Sequence, residues 1–84
     1  MGNYMEKTVI FEKLKEILVS EFQIAADEID LGKRLDEDLE LDSLDMVDII
    51  LYLKKYIGDK VDPGLFKGVR TVQDIVDLLE PIWK

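Results

Sequence analysis

Apolar residues recur at helical spacing in three stretches of this chain and thin to isolated pegs between the first two. From Thr8 to Phe22, Ile10, Phe11, Leu14, Ile17, Leu18 and Phe22 fall at steps of three and four, with Glu12, Lys13, Lys15, Glu16 and Glu21 opposite. That period predicts an amphipathic helix with Thr8 as its N-cap. From Gln23 to Asp42, Ile24, Ile29, Leu31, Leu35, Leu39 and Leu41 stand singly among Asp, Glu, Gly32, Lys33 and Arg34. This reads as a long connection pinned at single points, with one helical turn inside it. Connections of that length are uncommon in compact domains and tend to carry function.

Helical period resumes from Ser43 to Ile57. Leu44, Val47, Ile50, Leu51 and Lys54 lie on one side, with Met46, Ile49, Leu53 and Ile57 beside them. So wide an apolar stripe predicts a central helix. Asp42 is the expected N-cap, Asp45 falls in the first turn, and Gly58 is expected to end the helix in a left-handed conformation. Asp62-Pro63-Gly64 is turn chemistry; with Leu65, Phe66 and Gly68 it predicts a short third helix or single turn. Thr71-Val72-Gln73-Asp74 has capping-box spacing and opens a last helix with Ile75, Val76, Leu78 and Leu79, ended by Pro81. Trp83 is expected to pack back on the bundle. Residues 1–84 therefore read as one all-α domain, a small bundle of three substantial helices and a short one, with no room for a second core.

Composition narrows the chemistry. Eleven basic against nineteen acidic residues give a net charge of −8. Ten of those acids and only two bases lie between Asp27 and Asp48, so this stretch alone holds the whole imbalance. A patch this dense repels nucleic acid and anionic membranes and attracts basic protein surfaces. Its alternating carboxylates resemble a calcium loop, but Leu41 and Val47 stand where an EF-hand needs Gly and a bidentate Glu. No metal site is expected, beyond weak adventitious binding of magnesium or calcium. The absence of Cys and His excludes disulfides, thiolate sites, the usual zinc ligands and an ordinary serine triad. No segment reads as a signal peptide or membrane span, and Glu6 stands where a myristoylation signal wants Ser or Thr, so the expected compartment is the cytoplasm.

Within Asp38-Leu39-Glu40-Leu41-Asp42-Ser43-Leu44-Asp45, Ser43 opens the second helix at the centre of the acid patch. The buried face is expected to begin at Leu44, leaving Ser43 exposed. With no histidine to activate it, Ser43 reads as a substrate of another enzyme and not as a catalyst. The stretch from Asp38 to Leu53, the long preceding loop and Thr71-Val72-Gln73-Asp74-Ile75-Val76 resemble an acyl carrier protein over nearly the whole chain.

The resemblance implies a four-helix bundle with a short third helix. It also implies a 4′-phosphopantetheine arm, esterified to Ser43 from coenzyme A by a phosphopantetheinyl transferase, which carries acyl groups as thioesters. Asp38, Glu40, Asp42, Leu44, Asp45, Met46, Val47 and Asp48 would dock partners: the transferase, and acyl transferases and condensing or ligase enzymes with basic patches. Val47, Ile50, Leu51, Leu65, Phe66 and Val69 would shelter an acyl chain as well as pack the core. The protein would be a cytoplasmic monomer, a carrier and not an enzyme, with no nucleic acid or stable membrane partner. Two segments depart from the usual acidic pattern, Lys54-Lys55-Tyr56 and Pro63-Gly64-Leu65-Phe66-Lys67-Gly68. They imply a specialised carrier with partners outside the housekeeping set. The competing readings are an acidic helical interaction module with Ser43 unmodified and, ranked last, a carboxylate-based enzyme.

Overall fold

Three α-helices carry the architecture: α1 (Asn3–Phe22), α2 (Ser43–Ile57) and α3 (Val72–Leu79). They are seen in a computed structural model that describes residues 3–58 and 61–83, with side chains described from Lys7. Short 3₁₀ turns at Ala26–Glu28, Pro63–Phe66 and Glu80–Ile82 punctuate the connections. Among the described residues there is no strand, only an isolated antiparallel bridge between Arg34 and Thr71. No helix among them is long and apolar enough to cross a membrane.

α1 starts five residues before Thr8, which is therefore not its cap. No Pro or Gly interrupts residues 3–7, so the helix extends past the point where burial begins. The apolar period marks only the buried part: Ile10, Leu14, Ile17 and Leu18. After Phe22, Gln23 takes a left-handed φ of 58°. The turned chain lets the Ile24 N–H donate to the Leu18 carbonyl at 3.2 Å.

The long connection is pinned as its pegs predict, with one exception. Ile29, Leu35, Leu39 and Leu41 are buried and Ile24 is partly so, but Leu31 is 39% exposed. Backbone hydrogen bonds complete the anchoring. Leu35 N–H donates to the Arg70 carbonyl (2.9 Å), Val72 N–H to Lys33 (3.1 Å) and Gln73 N–H to Leu31 (2.8 Å). The loop is thus clipped to the entrance of α3.

α3 opens on the predicted capping box. Asp74 N–H donates to Thr71 Oγ1 at 3.1 Å, and the Asp74 carboxylate accepts from Thr71 N–H at 3.1 Å. Its buried face is Val72, Ile75, Val76 and Leu79. Pro81 lies in the 3₁₀ turn that follows, and Trp83 packs part-buried against the core. The predicted short third element is the turn Pro63–Phe66, started by Asp62 Oδ1 accepting from Gly64 N–H at 3.0 Å.

α2 corrects the expected burial. Its interior face is Ile49, Ile50, Leu53 and Ile57. Leu44 is 73% exposed, and Val47 and Leu51 are each 53% exposed. Apolar residues wrap more than half of this helix, so period alone does not choose the inward arc. The core chooses the arc centred on Leu53. Gly58 ends the helix with φ 72° and ψ −151°. That is positive as expected, but outside the left-handed helical well, in a region open essentially only to glycine.

Among the described residues, eighteen hydrophobic side chains form one core and no polar or charged residue is buried. The fold therefore rests on apolar burial. The radius of gyration, 11.8 Å, is that of a compact chain of this length. Lys7 links α1 to Asp77 (3.2 Å) and Glu80 (3.8 Å) at the surface, where solvent screening leaves such pairs little weight in stability.

Candidate functional site

The start of α2 is built by two reciprocal hydrogen bonds. Asp45 N–H donates to Asp42 Oδ1 (2.9 Å), and Asp42 N–H donates to Asp45 Oδ2 (3.1 Å). The first helical bond runs from Met46 N–H to the Asp42 carbonyl at 3.0 Å. Between these anchors Ser43, the first residue of α2, is exposed. The N–H groups of Ser43 and Leu44 make no hydrogen bond among the described residues. Two unsatisfied donors at the positive end of a helix dipole flank the hydroxyl.

The approach to Ser43 is fixed from behind. Leu39 and Leu41 are buried, and Leu41 N–H donates to the Leu35 carbonyl at 2.8 Å. Glu40, between them, takes a left-handed φ of 58°. Asp38 Oδ2 accepts from the backbone N–H of Arg34 at 2.7 Å. Asp36 accepts from Glu37 N–H at 2.7 Å, and this bond, helped by the nearby Arg34 guanidinium, holds its carboxyl below the usual carboxylate range. Several acids of the patch thus serve as local backbone acceptors. Glu40 and Asp48 are exposed and make no hydrogen bond or ion pair among the described residues.

The remaining site residues divide by exposure. Asp38, Asp42, Leu44 and Val47 are exposed, while Asp45 and Met46 are half-buried, Met46 against the core. Leu44 does not begin the buried face; it stands in water beside Ser43. Of the six residues assigned to acyl shelter, Ile50 and Phe66 are buried, Val69 is half-buried, and Val47, Leu51 and Leu65 are exposed. The core-packing role therefore fails for these last three.

A depression of about 510 Å³ opens beside this region, lined by Gln23, Glu28, Asp38, Glu40 and Asp45 among others. No group of three or more acids among the described residues converges to hold a metal ion. Sequence reasoning missed the two left-handed turns at Gln23 and Glu40. Neither residue type announces such a conformation, so no sequence signal marks them. It also missed the edge-on contact of Phe22 with Tyr52, centroids 6.3 Å apart, which ties the end of α1 to α2.

A phosphate ester on Ser43 fits this arrangement. Ser43 is exposed, and the adjacent backbone donors at the helix N-terminus favour negative charge. Comparisons with known proteins identify the family. Residues 12–79 match the family model described as a phosphopantetheine attachment site. The acyl carrier protein of Coprothermobacter proteolyticus is 37% identical over 76 residues, covering 90% of this chain and 93% of that protein. That of Petrotoga mobilis is 33% identical, covering 89% and 88% respectively. Acyl carrier protein 2 of Ralstonia nicotianae is 33% identical, covering 93% and 96%. The chain therefore belongs to the acyl carrier protein family: it is a carrier and not an enzyme, and its cofactor is phosphopantetheine.

Proposed function

We propose that Ser43 is the attachment point of phosphopantetheine, and that the chain delivers acyl intermediates to separate enzymes of fatty acid, polyketide or related acyl biosynthesis. The observation that carries this reading is the exposed Ser43 hydroxyl on a turn frozen by the Asp42–Asp45 capping box. When bound, the prosthetic group supplies the thiol that a sequence without cysteine lacks. The chain offers Ser43 Oγ, and the transferase brings the base. The N–H groups of Ser43 and Leu44 lie where the ester's negative charge is best tolerated.

Docking falls to the same region. Glu40 and Asp48 present uncommitted charge, and Asp38, Asp42 and Asp45 add to it while holding the local backbone. Leu44 and Val47 supply apolar contact, with Met46 behind them. Basic patches on the transferase and on acyl transferases, condensing enzymes or ligases fit this surface, giving fast, salt-sensitive encounters. The protein works as a monomer in the cytoplasm. Ile50 and Phe66, with Val69, form the apolar interior that a tethered chain would reach, and each sheltered methylene would contribute about 0.8 kcal/mol. Acylation should then shift the side-chain resonances of Ile50, Phe66 and Val69; unchanged resonances would refute the shelter.

The attachment is tested by mass. Incubation with coenzyme A, magnesium and a broad-range phosphopantetheinyl transferase should add one phosphopantetheine mass, and Ser43→Ala should abolish the gain. No gain in the parent protein would leave an unmodified acidic interaction module.

A further inference from the structure

The solvent face of α2 changes character along its length. Leu44, Val47, Asp48, Leu51, Lys54 and Lys55 recur at steps of three and four, opposite the buried Ile49, Ile50, Leu53 and Ile57. Three adjacent aliphatic side chains on this face are at least half exposed, which single stray surface leucines do not explain. Asp48 stands toward the Ser43 end of the strip. Lys54 and Lys55 stand at the other, with Lys13 of α1 reaching over the Tyr56 ring at 5.2 Å and Lys55 over Tyr52 at 5.2 Å. Asp48, Lys54 and Lys55 form no ion pair among the described residues.

From Asp48 to Lys54 the helix rises about 9 Å, roughly one Debye length at physiological salt. The two ends therefore do not neutralise each other. A favourable helix dipole accounts for lysines in a last turn, but not for the uncovered aliphatic strip that leads to them. Glu16 and Glu21 share the α1 side of Lys55 in a shallow groove. Lys54 falls on the opposite edge, in line with Ser43 and Val47.

We infer that α2 is a bipolar docking strip, and that the enzymes it fits carry along one line a basic patch, an apolar strip and a carboxylate patch. This rests on the docking reading above and refines it. The net charge of −8 favours a uniformly basic partner, whereas the local pattern demands a mixed one. Such a partner can seat in only one direction, and so it meets Ser43 in a single orientation.

Two synthetic helical peptides of equal length, each with leucines along one face, separate the alternatives. The first has arginines at one end and glutamates at the other; the second has arginines at both ends. In NMR titrations at 50 mM salt the mixed peptide should bind about three- to tenfold tighter, as expected for two exposed charge pairs. It should shift the amides of Leu44, Val47, Leu51 and Lys54. In the Lys54→Glu/Lys55→Glu double variant, checked for unchanged circular dichroism, the order should reverse. Tighter binding of the doubly basic peptide to the parent protein, or an order the double variant leaves unmoved, overturns the bipolar strip while the α2 docking face stands. If neither peptide shifts α2, the docking face itself falls. The mass test of Ser43 is independent of each of these outcomes.

Discussion

Asp42 combines a cap and a charge, and substitution separates the two. Asn keeps an oxygen that can accept the Asp45 N–H, whereas Ala removes it. Asp42→Ala should lower stability by about 1 kcal/mol, which in a domain of this size lowers the melting temperature by roughly 4–8 °C. Asp42→Asn should stay near the parent. Equal losses in thermal melts would show that charge, and not the cap, holds this turn. Glu40 offers the opposite experiment. Its left-handed φ of 58° carries a conformational penalty of about 1–2 kcal/mol that glycine escapes. Part of that gain is returned as chain entropy in the unfolded state. Glu40→Gly should therefore melt at or above the parent temperature. A clear drop would mean that the Glu40 side chain itself stabilises the approach to Ser43.

At the level of elements, the entrance of α3 links folding to pH. The Asp74 carboxylate accepts from the N–H groups of Arg70 (3.0 Å) and Thr71 (3.1 Å). These bonds, Arg70's first, hold its pKa below the ordinary 3.8. A carboxyl depressed on folding contributes stability that is fully present above its unfolded value and lost as pH falls through the folded one. Melting temperature should hence decline below about pH 4, and Asp74→Asn should flatten that decline. Parallel profiles for the two proteins would remove Asp74 as the cause.

The same elements mark how far sequence carries. Asp42, Thr71 and Asp74 announced their caps because hydroxyl and carboxylate chemistry at that spacing is local. The start of α2 followed from it, and Gly58 marked its end. Ser43 is exposed as expected, but not because burial begins at Leu44, which is itself 73% exposed. The inward face of α2 was not legible, since Leu44, Val47 and Leu51 are as apolar as Ile49 and Leu53. Only packing against the rest of the core tells them apart. The left-handed turns at Gln23 and Glu40 are likewise imposed by the path of the chain and carry no signature of residue type.

For the molecule as a whole, one apolar core does nearly all the stabilising. Leu53 is fully buried, and Leu53→Ala should remove about 2–5 kcal/mol, a large part of the 5–15 kcal/mol typical of a whole domain. Chemical denaturation should show that fall in midpoint. A change under 1 kcal/mol would mean that the helices can collapse onto the vacancy. Leu44→Ala, on the wet side of the same helix, should leave the midpoint within about 0.5 kcal/mol.

The clip between residues 31–35 and the entrance of α3 ties the two halves of the chain together. The lead-in to Ser43 has no helix of its own and borrows its rigidity from the C-terminal third. The amides of Leu35, Val72 and Gln73 should consequently exchange with deuterium as one cooperative unit. Fraying of the last helix would therefore loosen the chain leading to Ser43, although that serine lies far from it in sequence.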